Sequence, residues 1–464
     1  MAGRMLPRAV GATAPHIDVL PCVHPNAAGL DIGADEIDAC VPSDRDSRPV
    51  RAFATCTADL HALADWLEVC GIDTVAMEST GSYWLAIYEI LAAPGIRVFL
   101  VNARQIKIPP GRKSDWKDCQ WIQRLHMLGL LQASFRPDAE MALLRAYLRH
   151  RAELIAHRAP HILHVQKALH QMSIQLDRVL ADITGTTGMA ILRATVAGER
   201  DPLVLAQLRN PGCTSSEEKL AKAMQGTWQA PYLFVMRQGL ELYDFYTQQL
   251  AACAVELERY YGAMQPRFES DIDSTTLPAA KPGSKSKNKP NFNARAELAR
   301  VVGVDLVAVT GLSAASVQTI ISEIGTDMSK FATVKHFGSW LGLAPHNDIS
   351  GGKVLRSRTR KVVNRAAQAF RQAAQCVGRS ETALGAYYRR MRARLGPQQA
   401  TVATAYKIAR IVYTMLKERK PFEAASAEAY DQQYREREIK YLERKAAKLG
   451  FDLAPKALTE PVPS

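Results

Sequence analysis

Four carboxylates in the first quarter of the chain stand where a charge needs a partner. Asp31 interrupts the apolar run Ala28-Gly29-Leu30-Asp31-Ile32-Gly33. A carboxylate inside such a strand is costly unless it pairs or coordinates a cation. Glu78 ends a second apolar run, Thr74-Val75-Ala76-Met77-Glu78. Asp115 and Asp118 are three apart at the start of a helical stretch, so they share one face. On their own, these two could also be first-turn acids favoured by the helix dipole. Four acids held close together repel unless cations neutralise them. Hard oxygen ligands suit Mg²⁺, and two such ions can clamp a phosphoryl group in transfer. The expected metal ligands and catalytic acids are therefore Asp31, Glu78, Asp115 and Asp118.

A second constellation lies near the other end. Leu341-Gly342-Leu343-Ala344-Pro345 leads into Ser350-Gly351-Gly352-Lys353, and Arg356, Arg358, Arg360, Lys361 and Arg365 follow. A serine hydroxyl among fixed cations can attack phosphorus, because the cations favour its alkoxide and the developing phosphoryl charge. The alternative is a turn that touches phosphate without a covalent role. From Gly351 to Lys420 there are 17 Lys and Arg against two acids, Glu381 and Glu418, so this window carries +15 and the rest of the chain, whose net charge is +13, sums to −2. Surface charges normally mix signs. A window this one-sided attracts a polyanion, and nucleic acid is the expected one. Lys353, Arg356, Arg358, Arg360, Lys361 and Arg365 are expected contacts. So are Arg389 and Arg390, which neighbour Tyr387 and Tyr388.

The elements that must position these groups follow a definite order. Residues 1–26 show no period and read as a flexible extension. Strands are predicted at 28–33, 36–42 and 50–55. A helix then runs from Thr57, a plausible N-cap, to Val69, with Gly71 behind it. Strand 73–78, helix 82–93, strand 97–102 and a helix from Ser114 to Leu130 complete the domain. Three strands followed by alternating helix and strand is a ribonuclease-H-like order, so 27–135 is predicted to be a mixed sheet with helices on its faces. Residues 136–269 form a helical region. Its two long helices, 139–183 and 231–264, could pair as a hairpin or coiled coil. Pro160 is expected to break or kink the first, and 184–230 is an irregular or short-helical insertion. A Ser/Lys/Asn-rich linker spans 270–293. Residues 294–422 are a helical domain with a helix-hairpin-helix-like element around Val309-Thr310-Gly311-Leu312, either able to offer backbone amides to a phosphate or an ordinary helical hairpin. A charged helix and tail, 423–464, follow. The fold class is thus α/β plus α.

Other candidates weigh less. His157, His161 and His164 share a helical face, but Arg158 and Pro160 favour a solvated or RNA-facing helix over a metal site. Tyr243, Phe245, Tyr246, Tyr260 and Tyr261 read as helix-packing aromatics rather than base-stacking ones. The eight cysteines lack zinc or redox spacing and are expected to be reduced thiols of a cytoplasmic protein. No apolar run reaches the ~18 residues of a membrane span, and no secretory signal is expected.

Several of these segments resemble one family. Gly29-Leu30-Asp31-Ile32-Gly33, Met77-Glu78-Ser79-Thr80-Gly81 and Lys113-Ser114-Asp115-Trp116-Lys117-Asp118 resemble the N-terminal DEDD signature of the insertion-sequence 110/1111 transposases. Gly303-Val304-Asp305, Ser322-Glu323-Ile324-Gly325, Leu341-Gly342-Leu343-Ala344-Pro345 and Ser350-Gly351-Gly352-Lys353 resemble that family's C-terminal transposase domain. The resemblance covers roughly 27–135 and 296–420. It implies a RuvC-like domain, a coiled-coil spacer and a small helical domain. It also implies recombination of donor and target DNA guided by a structured bridge RNA, with Mg²⁺ on the DEDD acids and a serine nucleophile. By motif, Asp31, Glu78, Asp115 and Asp118 carry over as the acids and Ser350 as the serine. Joining two DNA sites implies a homo-oligomer, a dimer or tetramer. Cys119 replaces the Ala common after the last Asp, and Ile349 stands where a second polar residue is frequent. The extension and segments 184–230 and 270–293 have no role implied by the family. Two rivals stay open: a metal-dependent junction-resolving nuclease without a covalent serine intermediate, and a non-catalytic nucleic-acid-binding protein.

Overall fold

Short apolar runs, buried on both faces, build the strands that carry the first acids. The computed structural model describes residues 21–79, 81–106, 118–268, 272–279, 288–360 and 362–454. The chain divides into two units, with the boundary between Arg136 and Pro137. In the first unit β1 (Ala27–Ile32), β2 (Glu36–Cys40) and β3 (Val50–Ala54) form an antiparallel meander. Helix α1 (Thr57–Val69) leads to β4 (Thr74–Glu78), and α2 (Trp84–Ala92) leads to β5 (Arg97–Val101). Helices α3 (Ala103–Ile106) and α4 (Asp118–Met127) follow. Strand order is β3-β2-β1-β4-β5, with β4 parallel to both β1 and β5. This is a five-stranded mixed sheet, consistent with the expected ribonuclease-H-like arrangement.

The two faces of the sheet bury different partners. Ala28, Leu30, Ile37, Val75 and Met77 pack with Leu63 and Leu67 of α1 and Ile87 and Leu91 of α2. Ala76 and Val101 point the other way, against Ile122 and Leu125 of α4. Thr57 is not the cap of α1: Cys56 holds that position, and its carbonyl accepts from Asp59 and Leu60. Gly71 does end the helix with φ +66°. The expected cap Ser114 and its feeding loop lie outside the described residues.

Polar contacts fix α4 on the sheet. Gln123 Nε2 donates to Ala27 O at 3.2 Å, and Thr74 Oγ1 lies 2.9 Å from His126 Nε2. His126 is fully buried. Burial, with the nearby charges of His24 and Arg97, pushes its pKa down to about 4. The unfolded chain, with an ordinary histidine, binds the extra proton between pH 6.5 and 4. Stability from this group is therefore present above pH 6.5 and is lost as pH falls through that window, by roughly 3 kcal/mol in full. Melts recorded between about pH 4.5 and 7.5 are expected to show Tm falling with acid, and His126→Gln should flatten that slope. An equally steep slope in the variant would assign the acid sensitivity elsewhere.

In the second unit, α5 (Ala139–Gln171) is a single helix that continues through Pro160. The expected break does not occur, because α10 (Ala230–Ala263) packs along α5 on both sides of the proline. Between these two lie α6 (Leu176–Val179), α7 (Thr186–Ala197), α8 (Pro202–Gln207) and α9 (Glu217–Ala223). Tyr147 meets Tyr260 and His161 meets Tyr246, so α5 and α10 are antiparallel. Of the two expected forms of the insertion, irregular or short-helical, the second is found. Ile191, Leu192, Leu205, Leu220 and Met224 form one core with Leu169 of α5 and Met236 of α10.

The C-terminal part comprises α11 (Ala294–Val302), α12 (Ala314–Ile324), α13 (Val334–Trp340), β6 (Pro345–Ser350), β7 (Lys353–Thr359), α14 (Arg365–Val377), α15 (Ala383–Leu395), α16 (Pro397–Glu418) and α17 (Ala427–Lys448). Phe337, Phe370, Ile408 and Val412 are central to its core. The region is not wholly helical: β6 and β7 form a separate two-stranded hairpin. The α11–α12 turn has the expected positive φ at Gly311, +93°. A Cβ there would lie 2.6 Å from Ala373 O of α14, so the glycine also allows close helix contact. The turn is thus pressed onto α14, and its packing lends no support to the expected phosphate-binding role. Among the described residues, no helix is long and apolar enough to cross a membrane.

Candidate functional site

Alternation along β1 sends Gly29 and Asp31 toward the α4 side of the sheet, opposite Ala28 and Leu30. Across the antiparallel pair, Asp31 faces Asp38 and Gly29 faces Cys40. Across the parallel pair, Leu30 meets Met77, so Asp31 and Glu78 each stand one residue beyond that pair. Asp118 is the first residue of α4, which packs on β1. Burial and the charges of Asp118, Asp38 and Glu78 all raise the Asp31 pKa above the usual carboxylate range. The structure therefore gathers Asp31, Glu78 and Asp118. It adds Asp38, which the sequence reading missed. Asp115 lies outside the described residues. Counting across the short 33–35 turn would have placed Asp38 opposite Asp31.

The donor chemistry fits a hard divalent cation: the acids are oxygen ligands, and their mutual repulsion is what such an ion relieves. Among the described residues, however, no group of three His, Cys, Asp or Glu side chains is arranged to hold a metal. The fit lies in the donor set and its charge.

Gly29 controls the approach of Asp118. A Cβ at this position would sit 2.3 Å from both Cys119 O and Gln123 N. No side chain can yield there, because the obstructing atoms are helix backbone. Gly29→Ala should force α4 off β1, destabilise the chain by about 1–3 kcal/mol, and separate Asp118 from Asp31. Urea unfolding reads the first effect, and an unchanged midpoint would contradict this packing.

Ser350 occupies the tip of the β6–β7 hairpin. Gly351 (φ 56°) and Gly352 (φ 74°) give both turn residues the positive φ of a type I′ turn. Nothing lies within 4 Å of a Cβ built at either glycine, so conformation rather than space selects them. Ser350 pairs with Lys353, Asp348 with Arg356 and His346 with Arg358, leaving Leu355 as an extra residue in β7. That bulge brings Lys353 and Arg356, three apart in sequence, onto one face of the ribbon. Ser350, Lys353, Arg356 and Arg358 share this face, and all are exposed. Among the described residues the Ser350 hydroxyl has no hydrogen-bond partner.

The remaining expected contacts divide. Arg365 is exposed at the start of α14, in a cleft with Glu153, Ser313, Ser316 and Gln368. Arg360 donates to Ser339 O at 2.6 Å and so ties down the base of the hairpin. Lys361 lies outside the described residues. Arg389 donates to Ser380 O at 2.9 Å. Arg390 pairs with Asp431 at 3.1 Å and stacks 3.2 Å from the Tyr434 ring centroid. These two arginines are thus engaged in internal structure. His161 stacks on Tyr246, and Tyr260 donates to Glu140 O, so this set packs helices.

Two family models match the chain. One, for a DEDD transposase of the IS110 group, covers residues 28–174; the other, for the transposase IS116/IS110/IS902 family, covers residues 304–389. Together they span half of the chain. The chain belongs to the IS110 transposase family. No curated protein matches it. The first match contains Asp31, Asp38, Glu78, Asp115 and Asp118 of this transposase, and the second contains Ser350 and the basic face beside it. The transposase therefore keeps its acids and its exposed serine in two separately matched segments. As a family member it is a DNA-cutting and rejoining enzyme.

Proposed function

We propose that this transposase cuts and rejoins DNA at a composite site. Asp31, Glu78, Asp115 and Asp118 would hold Mg²⁺, which supplies Lewis-acid polarisation of the scissile phosphate and stabilises developing charge. Ser350 Oγ attacks the phosphorus. A serine–phosphate ester forms, one DNA P–O bond breaks, and the departing oxygen takes a proton. Reversal of that exchange onto a new strand rejoins DNA without external energy. Lys353, directly opposite Ser350, and Arg356 hold the phosphate at the tip. A structured guide RNA would choose the sites, and two or four copies would hold both DNAs together.

The observation that carries this reading is a solvent-exposed serine at a glycine-built hairpin tip, on the same face as Lys353 and Arg356. The charged cluster around Asp31 supports it. One observation favours a second reading, a metal-only nuclease: no described residue hydrogen-bonds Ser350 to activate it. In the composite site that activation comes from the acid cluster, in the same chain or in a second copy. Incubating the chain with DNA and Mg²⁺, then resolving products under denaturing conditions, separates the two. A covalent protein–DNA species supports the serine route, whereas cut DNA with no adduct supports the nuclease.

A further inference from the structure

A cleft of about 600 Å³ opens beside α16, lined by Tyr387 of α15, by Tyr406, Lys407 and Arg410 of α16, by Phe422, and by Arg437 of α17. This volume is within the roughly 300–1,000 Å³ of small-ligand clefts. Its lining carries four cations, Lys407, Arg410, Lys420 and Arg437, against two acids, Glu418 and Glu423. Lys407 is half-buried, and its Nζ rests 4.2 Å from the Tyr387 ring centroid and 4.8 Å from that of Tyr430. Lys407, Arg410 and Arg437 make no ion pair among the described residues. The acids on the rim are Glu418, which pairs with Lys420 at 3.4 Å, and Glu423. Burial and the charges of Arg437 and Arg410 press the Lys407 pKa downward. A half-buried ammonium beside two guanidiniums is destabilising unless an anion joins them.

The segment that brings Phe422 into the lining is held in place from outside the cleft. Arg419 ends α16 in the left-handed region, φ 56°. Its guanidinium donates to Val302 O and Thr326 O, both at 2.9 Å, which fixes the segment that carries Phe422. Phe422 is half-buried in the cleft and stacks on no other ring among the described residues. Fixed cations beside an unstacked ring are the elements that hold a phosphate and an unpaired base together. A duplex backbone could reach exposed Arg410 and Arg437, but its paired bases could not reach Phe422.

We infer that this cleft binds one unpaired nucleotide of a nucleic acid strand, its phosphate on Lys407, Arg410 and Arg437 and its base on Phe422. The inference rests on the proposed function only in taking nucleic acid as the partner; it does not depend on Asp31 or Ser350. Fluorescence anisotropy with the full chain tests it, using single-stranded RNA and DNA of about 12 nucleotides, a duplex of equal length, and polyglutamate as competitor. The Lys407→Met/Arg437→Gln variant should lose at least about tenfold in single-strand affinity, and its salt slope should fall by about 1.4. Phe422→Ala should lose about tenfold with an unchanged salt slope. Duplex affinity should change by no more than about twofold in Phe422→Ala, and in the double variant it should fall less than single-strand affinity. A greater loss on RNA assigns the guide strand and a greater loss on DNA assigns a substrate strand; either supports the cleft. Lys407→Met alone should melt no lower than the parent, since it removes an unmatched charge. Unchanged affinity and slope in the double variant, equal loss on duplex, or displacement by polyglutamate would overturn the inference. So would a lowered Tm in Lys407→Met with full affinity, which marks a packing lysine. The anisotropy is read in EDTA, where no Mg²⁺-dependent cleavage occurs, so failure of cleavage and failure of the cleft are separately visible.

Discussion

Asp31→Asn should abolish Mg²⁺-dependent DNA cleavage while making the metal-free chain more stable. The two effects have one origin. Burial and the charges of Asp118, Asp38 and Glu78 raise the Asp31 pKa above its unfolded value. For an acid, that direction means the ionised form destabilises the fold at neutral pH. The penalty fades as pH falls through the raised folded value and the carboxyl takes up its proton. Asparagine has the same shape and no charge, so it removes the penalty at every pH. A cation on the acids would remove it in the parent instead. Mg²⁺ should therefore raise the Tm of the parent and leave that of Asp31→Asn nearly unmoved. Cleavage should fall by on the order of a thousandfold, the scale of several kcal/mol of lost charge stabilisation. Calorimetry with EDTA and with Mg²⁺, beside a cleavage assay, reads all three. A variant that melts lower than the parent in EDTA, or gains as much from Mg²⁺, sinks the metal-site reading of these acids.

The elements around these acids were legible because their chemistry is local. Short apolar runs in 27–41 and 74–78, with Gly71 behind α1, mark strands and a helix end without knowledge of the fold. Asp38 was not legible in the same way. Its importance depends on which residue of β1 it faces, and pairing is a property of two strands. Segment 184–230 was legible only as irregular or short-helical, for a related reason. Gly198 in the left-handed region, Pro202 after the capping Asp201, and the cap Ser216 are helix boundaries. In sequence they look like loop residues, because three short helices place their boundaries close together. Pro160 was over-read: a proline removes one hydrogen bond, and a partner helix of 34 residues outweighs that loss. The β6–β7 hairpin gave no period to find, since both of its faces are exposed. Arg389 and Arg390 show the limit of reading charge. Sequence counts cations but does not show the carbonyls, Asp431 and Tyr434 that engage them.

Ser350→Ala should erase every covalent protein–DNA species without changing stability. The serine is exposed at a turn, its hydroxyl bonds to no described residue, and alanine fits its extended backbone, so Tm should stay within experimental error. A loss of activity would then be chemical. Strand joining should vanish with the adduct, because a strand released to water keeps no phosphoester to exchange. Cleavage itself discriminates further. If the alanine variant still cuts with Mg²⁺ at a rate near that of the parent, water is the nucleophile and the serine only touches phosphate. The glycines give an independent check on geometry. Gly351→Val leaves Ser350 in place but puts a β-branched residue at φ 56°, a strain of about 1–3 kcal/mol that the turn relieves by opening. Opening breaks the register that sets Lys353 opposite Ser350. The variant should fold, because the hairpin buries nothing, and yet form adducts far more slowly than the parent. Full adduct formation in Gly351→Val would mean that the serine acts without its lysine neighbour and that the hairpin tip is only a tether.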